Sequence, residues 1–433
     1  PMKVPTVVTL ATILQPVWSV RLSTPTTKPW TWTNPWMMKT KPATKQRTRT
    51  ECKPDSTRLE KAQICKTEEG ETCPMSAMKA GESTLVYPGG KTRCLDNSKP
   101  DYFFQVIPGS KNKLLIDFEG GGACWSKLSY DINACGVKQA RQWPRTGFFE
   151  RSPRNPFGNY TILSIQYCSG DLHSGAVTHL WLDNMGRRVR QFGYHNTRSV
   201  IDWAKANFKG RLQSLIIMGQ SAGAIGTQLW ASSLLTDFSY ASASVIADSY
   251  VGIFPDGFQG PVFKDLGVCG LDILEPELKE RCMRKRITIA DVFDHTIEKF
   301  PHVSFASINS KWEGVQASYF RKAGISMGRM FWDITPEDFL ASVNKVLNRY
   351  NEHPNYVSLT VPFAHHTFMP CESLHNMTFA WKGGANSVAD WVKQFTALPS
   401  GKKLQSVCVD EPEETVTLAC SPALANKEFA VPR

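Results

Sequence analysis

Short apolar runs alternate with stretches of helical character along most of the chain. Residues 101–107, 113–118, 160–167 and 212–218 each read as a strand, and so do 243–247, 303–307 and 356–361. Residues 197–208 and 336–347 read as helices, and the strand at 212–218 runs straight into Gly219 and a helix of small residues. Buried strands of four to eight residues that alternate with helices predict an α/β fold. Its central sheet would be mostly parallel and covered by helices on both faces. Loops that carry chemistry on such a sheet gather at the carboxyl ends of the strands.

Other parts of the chain lack this pattern. Residues 22–50 are rich in Thr, Pro, Lys and Trp and hold no period of 2 or 3.6. The region 21–50 therefore reads as a disordered linker. Before it, Met2-Lys3 leads into the short apolar stretch 4–14, with Val17-Trp18-Ser19 as a small-residue cleavage site. Residues 1–20 thus resemble a secretory signal peptide. A catalytic domain is expected over 51–400, with 401–433 as a C-terminal tail. No internal repeat is found.

Composition sharpens the picture in two places. The net charge of the 433 residues is +11, but residues 1–50 hold eight basic side chains and no acidic one. The remaining body is only +3, too little for the field that phosphate binding needs, which argues against a nucleic-acid partner. Twelve cysteines without CxxC pairs fit disulfides in an oxidising compartment rather than zinc or thioredoxin chemistry. The sequons at Asn159 and Asn376 agree with secretion and are glycosylation candidates. No run of about 18 apolar residues occurs, so stable membrane insertion is not expected.

The chemistry concentrates in a few motifs. Gly219-Gln-Ser221-Ala-Gly223 sits between an apolar strand and a helix, the context in which Gly-x-Ser-x-Gly marks a nucleophile. Glu119-Gly-Gly-Gly-Ala-Cys-Trp125 follows strand 113–118. A glycine run there lets main-chain amides approach a tetrahedral oxyanion, with Gly121, Gly122 and Ala222 as the donors. A downstream histidine completes a triad. His365 and His366 follow strand 356–363, and spacing favours His366 over His365. The acid could be Asp248, Glu313 or Asp333, and position relative to the strands favours Glu313. Tyr167-Cys-Ser-Gly-Asp171-Leu-His173 closes another strand, and Asp171 and His173 are candidates for lining the substrate site with Trp125. One carboxylate and one histidine are too few to specify a metal.

Together these motifs resemble the pectin acetylesterase/Notum family of secreted carboxylic-ester hydrolases. The match is carried by 115–125, 167–173, Gly219-Gln-Ser-Ala-Gly-Ala224 and Ala364-His-His-Thr-Phe368, over roughly residues 83–398. The resemblance implies an α/β-hydrolase-like fold, a Ser–acid–His triad that needs no cofactor or metal, and disulfides. By position it makes Ser221 the nucleophile and His366 the base. The family acid is usually Asp ahead of an aromatic-Gln pair. Here Lys311-Trp-Glu-Gly-Val-Gln316 puts Glu313 in that place, one methylene longer. The family's Cys after the histidine is replaced by Thr367. Proximity and the family pattern pair Cys124 with Cys135 and Cys269 with Cys282. The implied function is a serine acetylesterase acting on an acetylated, pectin-like polysaccharide, working as a monomer outside the cell. Two other functions are a Notum-like deacylase for a fatty-acylated protein, or a catalytically silent relative that binds glycans or a partner protein.

Overall fold

The computed structural model describes residues 61–67, 70, 72–95, 102–143, 147–151, 155–329, 333–362, 388–397 and 405–408. Residues 1–50, His365, His366 and Asn376 lie outside them. The strands are β1 (Gln63–Lys66), β2 (Thr84–Tyr87), β3 (Phe104–Ile107), β4 (Ser110–Phe118), β5 (Tyr160–Ile165) and β6 (Val177–Leu182). They continue with β7 (Arg188–Gln191), β8 (Leu212–Gln220), β9 (Tyr240–Asp248), β10 (Ser304–Ser310), β11 (Tyr356–Val361) and β12 (Val407–Cys408). The helices are α1 (Lys127–Asp131), α2 (Gly193–Asn207), α3 (Ala222–Asp237), α4 (Gln259–Asp265) and α5 (Pro276–Met283). After them come α6 (Ile289–Lys299), α7 (Gly314–Ser326), α8 (Pro336–Tyr350) and α9 (Val388–Thr396).

Ten strands form one sheet in the order β1-β2-β3-β5-β4-β8-β9-β10-β11-β12. Every pairing from β5 to β12 is parallel, and only β3 runs against both its neighbours, β2 and β5. This is the mostly parallel α/β sheet that the strand–helix alternation implies. Its central strands are apolar on both faces because both faces are covered. In β8, Leu215 and Ile217 pack into one core while Ile216 and Met218 pack into the other. The first core is closed by α2, α3, α6 and α8. The second is closed by α9 through Val388, Trp391, Val392 and Phe395, and by Phe148, Phe149 and Phe157. The sheet reaches past residue 400, where Leu359 of β11 registers with Val407 of β12.

Among the described residues four disulfide pairs tie the frame: Cys65–Cys73, Cys94–Cys168, Cys124–Cys135 and Cys269–Cys282. The last two are the pairs implied by the family resemblance. Cys94–Cys168 spans 74 residues and pins the segment after β2 to the exit of β5. Closing so long a loop removes several kcal/mol of chain entropy from the unfolded state, roughly 4 by the loop-length relation.

Burial also traps acids in the sheet. Asp117 of β4 is fully buried, with one oxygen taking the Ser164 hydroxyl at 3.0 Å and Oδ1 without a partner. Desolvation pushes its pKa up from 3.8 to about 7, against the lowering effect of the Ser164 bond. The folded state therefore holds a proton that the unfolded chain releases near pH 4. That contribution is complete below pH 4 and is lost as pH rises through about 7. Asp117→Asn should remove this loss. Urea midpoints measured from pH 4 to 8 should fall for the parent relative to the variant, with the gap widest at pH 8.

Candidate active site

β8 ends at Gln220 and α3 begins at Ala222, so Ser221 alone makes the corner. It does so at φ 55° and ψ −121°, a conformation that L-residues rarely adopt. The neighbouring glycines are required by space. A Cβ on Gly219 would lie 2.4 Å from the Gly223 carbonyl oxygen, and one on Gly223 would lie 1.9 Å from that of Phe118. The corner is held from the next strand, where the Ser221 amide donates to the Asp248 carbonyl at 3.0 Å. Ser221 is 9% exposed and stands at the N-terminus of α3, whose first-turn amides have no acceptor within the helix.

The glycine run after β4 comes to the same corner. A Cβ on Gly120 would lie 2.8 Å from the Gln220 carbonyl oxygen and 3.0 Å from Cβ of Ser221. Gly122, Ser221 and Ala222 line one pocket, together with Trp125. Gly122 has φ +78°, and a Cβ there would meet Tyr319 Oη at 2.1 Å and the Ala134 carbonyl at 2.4 Å. The position is therefore closed to side chains, so the main chain itself faces the pocket. Gly122→Ala should push that amide away from Ser221. If its amide serves as an oxyanion donor, a fall of about 10²–10³ in kcat for a soluble aryl ester is expected.

The pocket runs from Ser221 along α4. Phe258, Val262 and Leu266 repeat at helical spacing, and Leu172, Ile225, Phe254 and Phe263 fill in around them. Its other polar side chains are turned into the protein. Gln259 donates to the Gly252 carbonyl at 3.3 Å and accepts from the Ile289 amide at 2.8 Å. Tyr250 donates to the Ile253 carbonyl, Tyr319 to the Ala134 carbonyl, and Trp125 to the Ser326 hydroxyl at 2.9 Å. The walls are thus apolar and the polar groups collect at Ser221.

The other sequence candidates fall in three places. Trp125 lines the pocket, edge-on to Phe258 with ring centroids 5.0 Å apart. Asp171 and His173 do not line it and are buried behind it. Asp171 takes the Ser169 hydroxyl at 2.6 Å and the Gly193 amide at 2.7 Å, and burial pushes its pKa up to about 6. His173 shares its Nε2 with the Glu119 carbonyl at 2.8 Å and is lowered to about 4 by desolvation. They brace the loops that carry the site. Among the three acids, Asp248 ends β9 fully buried and takes the Ser249 hydroxyl at 2.6 Å. Glu313 lies just beyond β10, 4% exposed, and caps α7 by accepting from the amides of Val315 and Gln316 at 2.8 Å each. Asp333 is exposed and paired with Arg321. Asn159 is exposed at the start of β5. The exit of β11 at Val361 accepts from the Lys311 amide at 2.9 Å, so the chain that continues to His365 and His366 leaves beside Glu313.

Residues 76–283 match the family model Pectinacetylesterase. The matched segment holds the glycine run, the loop after β5 and the Ser221 corner, while β10, β11 and the acid Glu313 lie beyond it. Two solved structures of the Wnt deacylase Notum from Drosophila share the fold. One has a TM-score of 0.52 at 14% identity and the other 0.50 at 15%, each covering 72% of this chain and 92% of that one. No curated protein matches the chain. Sequence reasoning missed the apolar pocket. Its α4 wall has the spacing 258, 262, 266, but that spacing alone does not say that the face is left open. It also missed the capping role of Glu313, because Glu is not among the residues that signal a helix start.

Proposed function

We propose that the chain is a secreted serine carboxylic-ester hydrolase that favours an apolar acyl group longer than acetyl. Ser221 attacks the ester carbonyl while His366 takes its proton. The charge on the carbonyl oxygen is met by the amides of Gly121, Gly122 and Ala222. His366 returns the proton to the departing alcohol. Water, deprotonated by the same histidine, then attacks the acyl-serine, releases the carboxylic acid and restores Ser221. Glu313 holds the imidazole in the tautomer this requires. The four disulfides support an oxidising destination.

The observation that carries this reading is the strained Ser221 corner opening on an apolar pocket beside the glycine run. An acetyl group needs room for one methyl. Phe258, Val262, Phe263 and Leu266 keep the pocket apolar beyond Ser221, which suits an acyl chain rather than sugar hydroxyls. The deacetylation of a polysaccharide, placed first from the sequence, leaves those side chains unused. A series of p-nitrophenyl esters separates the two. Each methylene seated in the pocket is worth up to ~0.8 kcal/mol, or about fourfold. We expect kcat/KM to rise at least about tenfold from acetyl to hexanoyl. A maximum at acetyl would return the assignment to an acetylesterase.

A further inference from the structure

We propose that the outer face of the β6–β7 hairpin docks on the surface of an anionic lipid bilayer. The hairpin is a separate two-stranded sheet. Its inner face is anchored: Val189 is fully buried, and Trp181 packs on Tyr130 of α1 with centroids 5.4 Å apart. Its outer face is not. Leu180 is 84% exposed and Met185, at the turn, 71%. Leu182 is exposed too and registers with Arg188, while Thr178 registers with Arg190. Leucines thus stand among arginines on one surface.

Charge selects the occupant. Residues 125–143 carry three basic and one acidic side chain, 177–191 three and one, and 314–329 three and none. These segments include α1, the hairpin and α7; Trp125 and Tyr319 line the pocket, and Tyr130 of α1 packs on Trp181 of the hairpin. With Glu313, which caps α7, and Asp333, which pairs with Arg321, these elements hold five net positive charges, while the body from residue 51 onward is +3, so its other parts together are −2. An anionic partner is therefore steered to this side. A uronate or sulfated glycan would satisfy the arginines but offers no medium for Leu180, Leu182 and Met185. An anionic bilayer offers both, headgroup charge outside and acyl carbon beneath. The hairpin is also tied to the pocket. Gln191 at its end donates to the carbonyls of Cys124 and Gly170, both at 2.9 Å, and both residues line the pocket.

Co-sedimentation of the full chain with vesicles tests this independently of any esterase activity. The vesicles are phosphatidylcholine alone, or with about 30% phosphatidylserine. We expect binding to the anionic vesicles and little to the neutral ones. Residues 1–50 add their own salt-sensitive attraction, so the apolar contribution is read in 0.5 M salt, where screening falls to about 4 Å. There, Leu180→Asp with Met185→Asp should lower partitioning at least about tenfold. Arg188→Glu with Arg190→Glu should lower binding to the anionic vesicles several-fold at low salt, the remainder being the attraction of residues 1–50. Melting temperature checks the fold. If the Asp pair lowers it, Leu180→Gln with Met185→Gln is read by the same criterion. Equal partitioning of parent and apolar variants overturns the proposal. So does retention of all of them by polygalacturonate with none by vesicles, which would make the patch a glycan contact.

Discussion

Ser221→Ala should lower kcat/KM for a soluble aryl ester by about 10⁵-fold or more, without loss of fold. The alanine keeps Cβ, so the packing of the corner against Gly120 is untouched. What disappears is the atom that forms the acyl bond. The residual rate would come from the amide cradle acting on water. An unchanged rate would remove Ser221 from the chemistry and leave the silent, binding-only relative. A second substitution separates strain from catalysis. At φ 55° and ψ −121°, Ser and Ala are equally crowded, whereas glycine is at ease. Strain at such a site is of order 1–3 kcal/mol, and glycine's greater freedom in the unfolded chain returns about 0.5–1 of it. Ser221→Gly should therefore be as inactive as Ser221→Ala but more stable than it by roughly 1 kcal/mol in denaturant midpoints. A shared stability would mean that the corner is relaxed.

The sequence disclosed the layers of this molecule better than its edges. Strands such as β8 and β11 are buried on both faces, so their apolar runs stand out without help from neighbours. The glycine motifs were legible because their constraint is local: a corner and a close approach exclude Cβ whatever the rest of the chain does. The β6–β7 hairpin was invisible, since its strand reads Val-Thr-His-Leu-Trp-Leu, with leucine on the solvent side and histidine within. At His179, Leu180 and Leu182 that inverts the usual pattern of apolar inside and polar outside, and a fold-level rule discards the segment. The roles of Asp171 and His173 stayed open between substrate contact and loop packing for a related reason. A Gly-Asp-x-His loop at a strand end looks like a substrate contact. Only the three-dimensional arrangement reveals that the Gly193 amide and the Glu119 carbonyl already occupy those groups.

The acid of the triad depends on the same distinction between position and neighbours. β10 lies next to β11, and Glu313 follows the end of β10 by three residues, which puts it just past the strand adjacent to β11 in the sheet order. Asp248 ends β9, two strand spacings from β11, and Ser221 follows β8, three spacings away, about 14 Å. His366 follows Val361 by five residues, and such a segment spans at most about 17 Å, enough to cross the sheet edge. Glu313→Gln should lower kcat by about 10³–10⁴ with little change in KM, because the imidazole loses the partner that fixes its tautomer. The substitution also weakens the cap of α7. A glutamine offers one acceptor where the carboxylate serves both Val315 and Gln316, a loss of about 1 kcal/mol in stability. A structural defect of that kind would move the melting temperature but not the pH profile. Loss of the acid should also lower the apparent pKa of the base seen in kcat/KM, since the carboxylate favours the imidazolium. Glu313→Asp keeps the charge and matches the family residue, so it should recover most of the rate. Asp333→Asn, at an exposed ion pair, should leave kcat within twofold, as surface pairs contribute little. If Asp248→Asn shifts the pH profile and Glu313→Gln does not, the acid is the one at the end of β9, and the carboxylate beyond β10 only caps its helix.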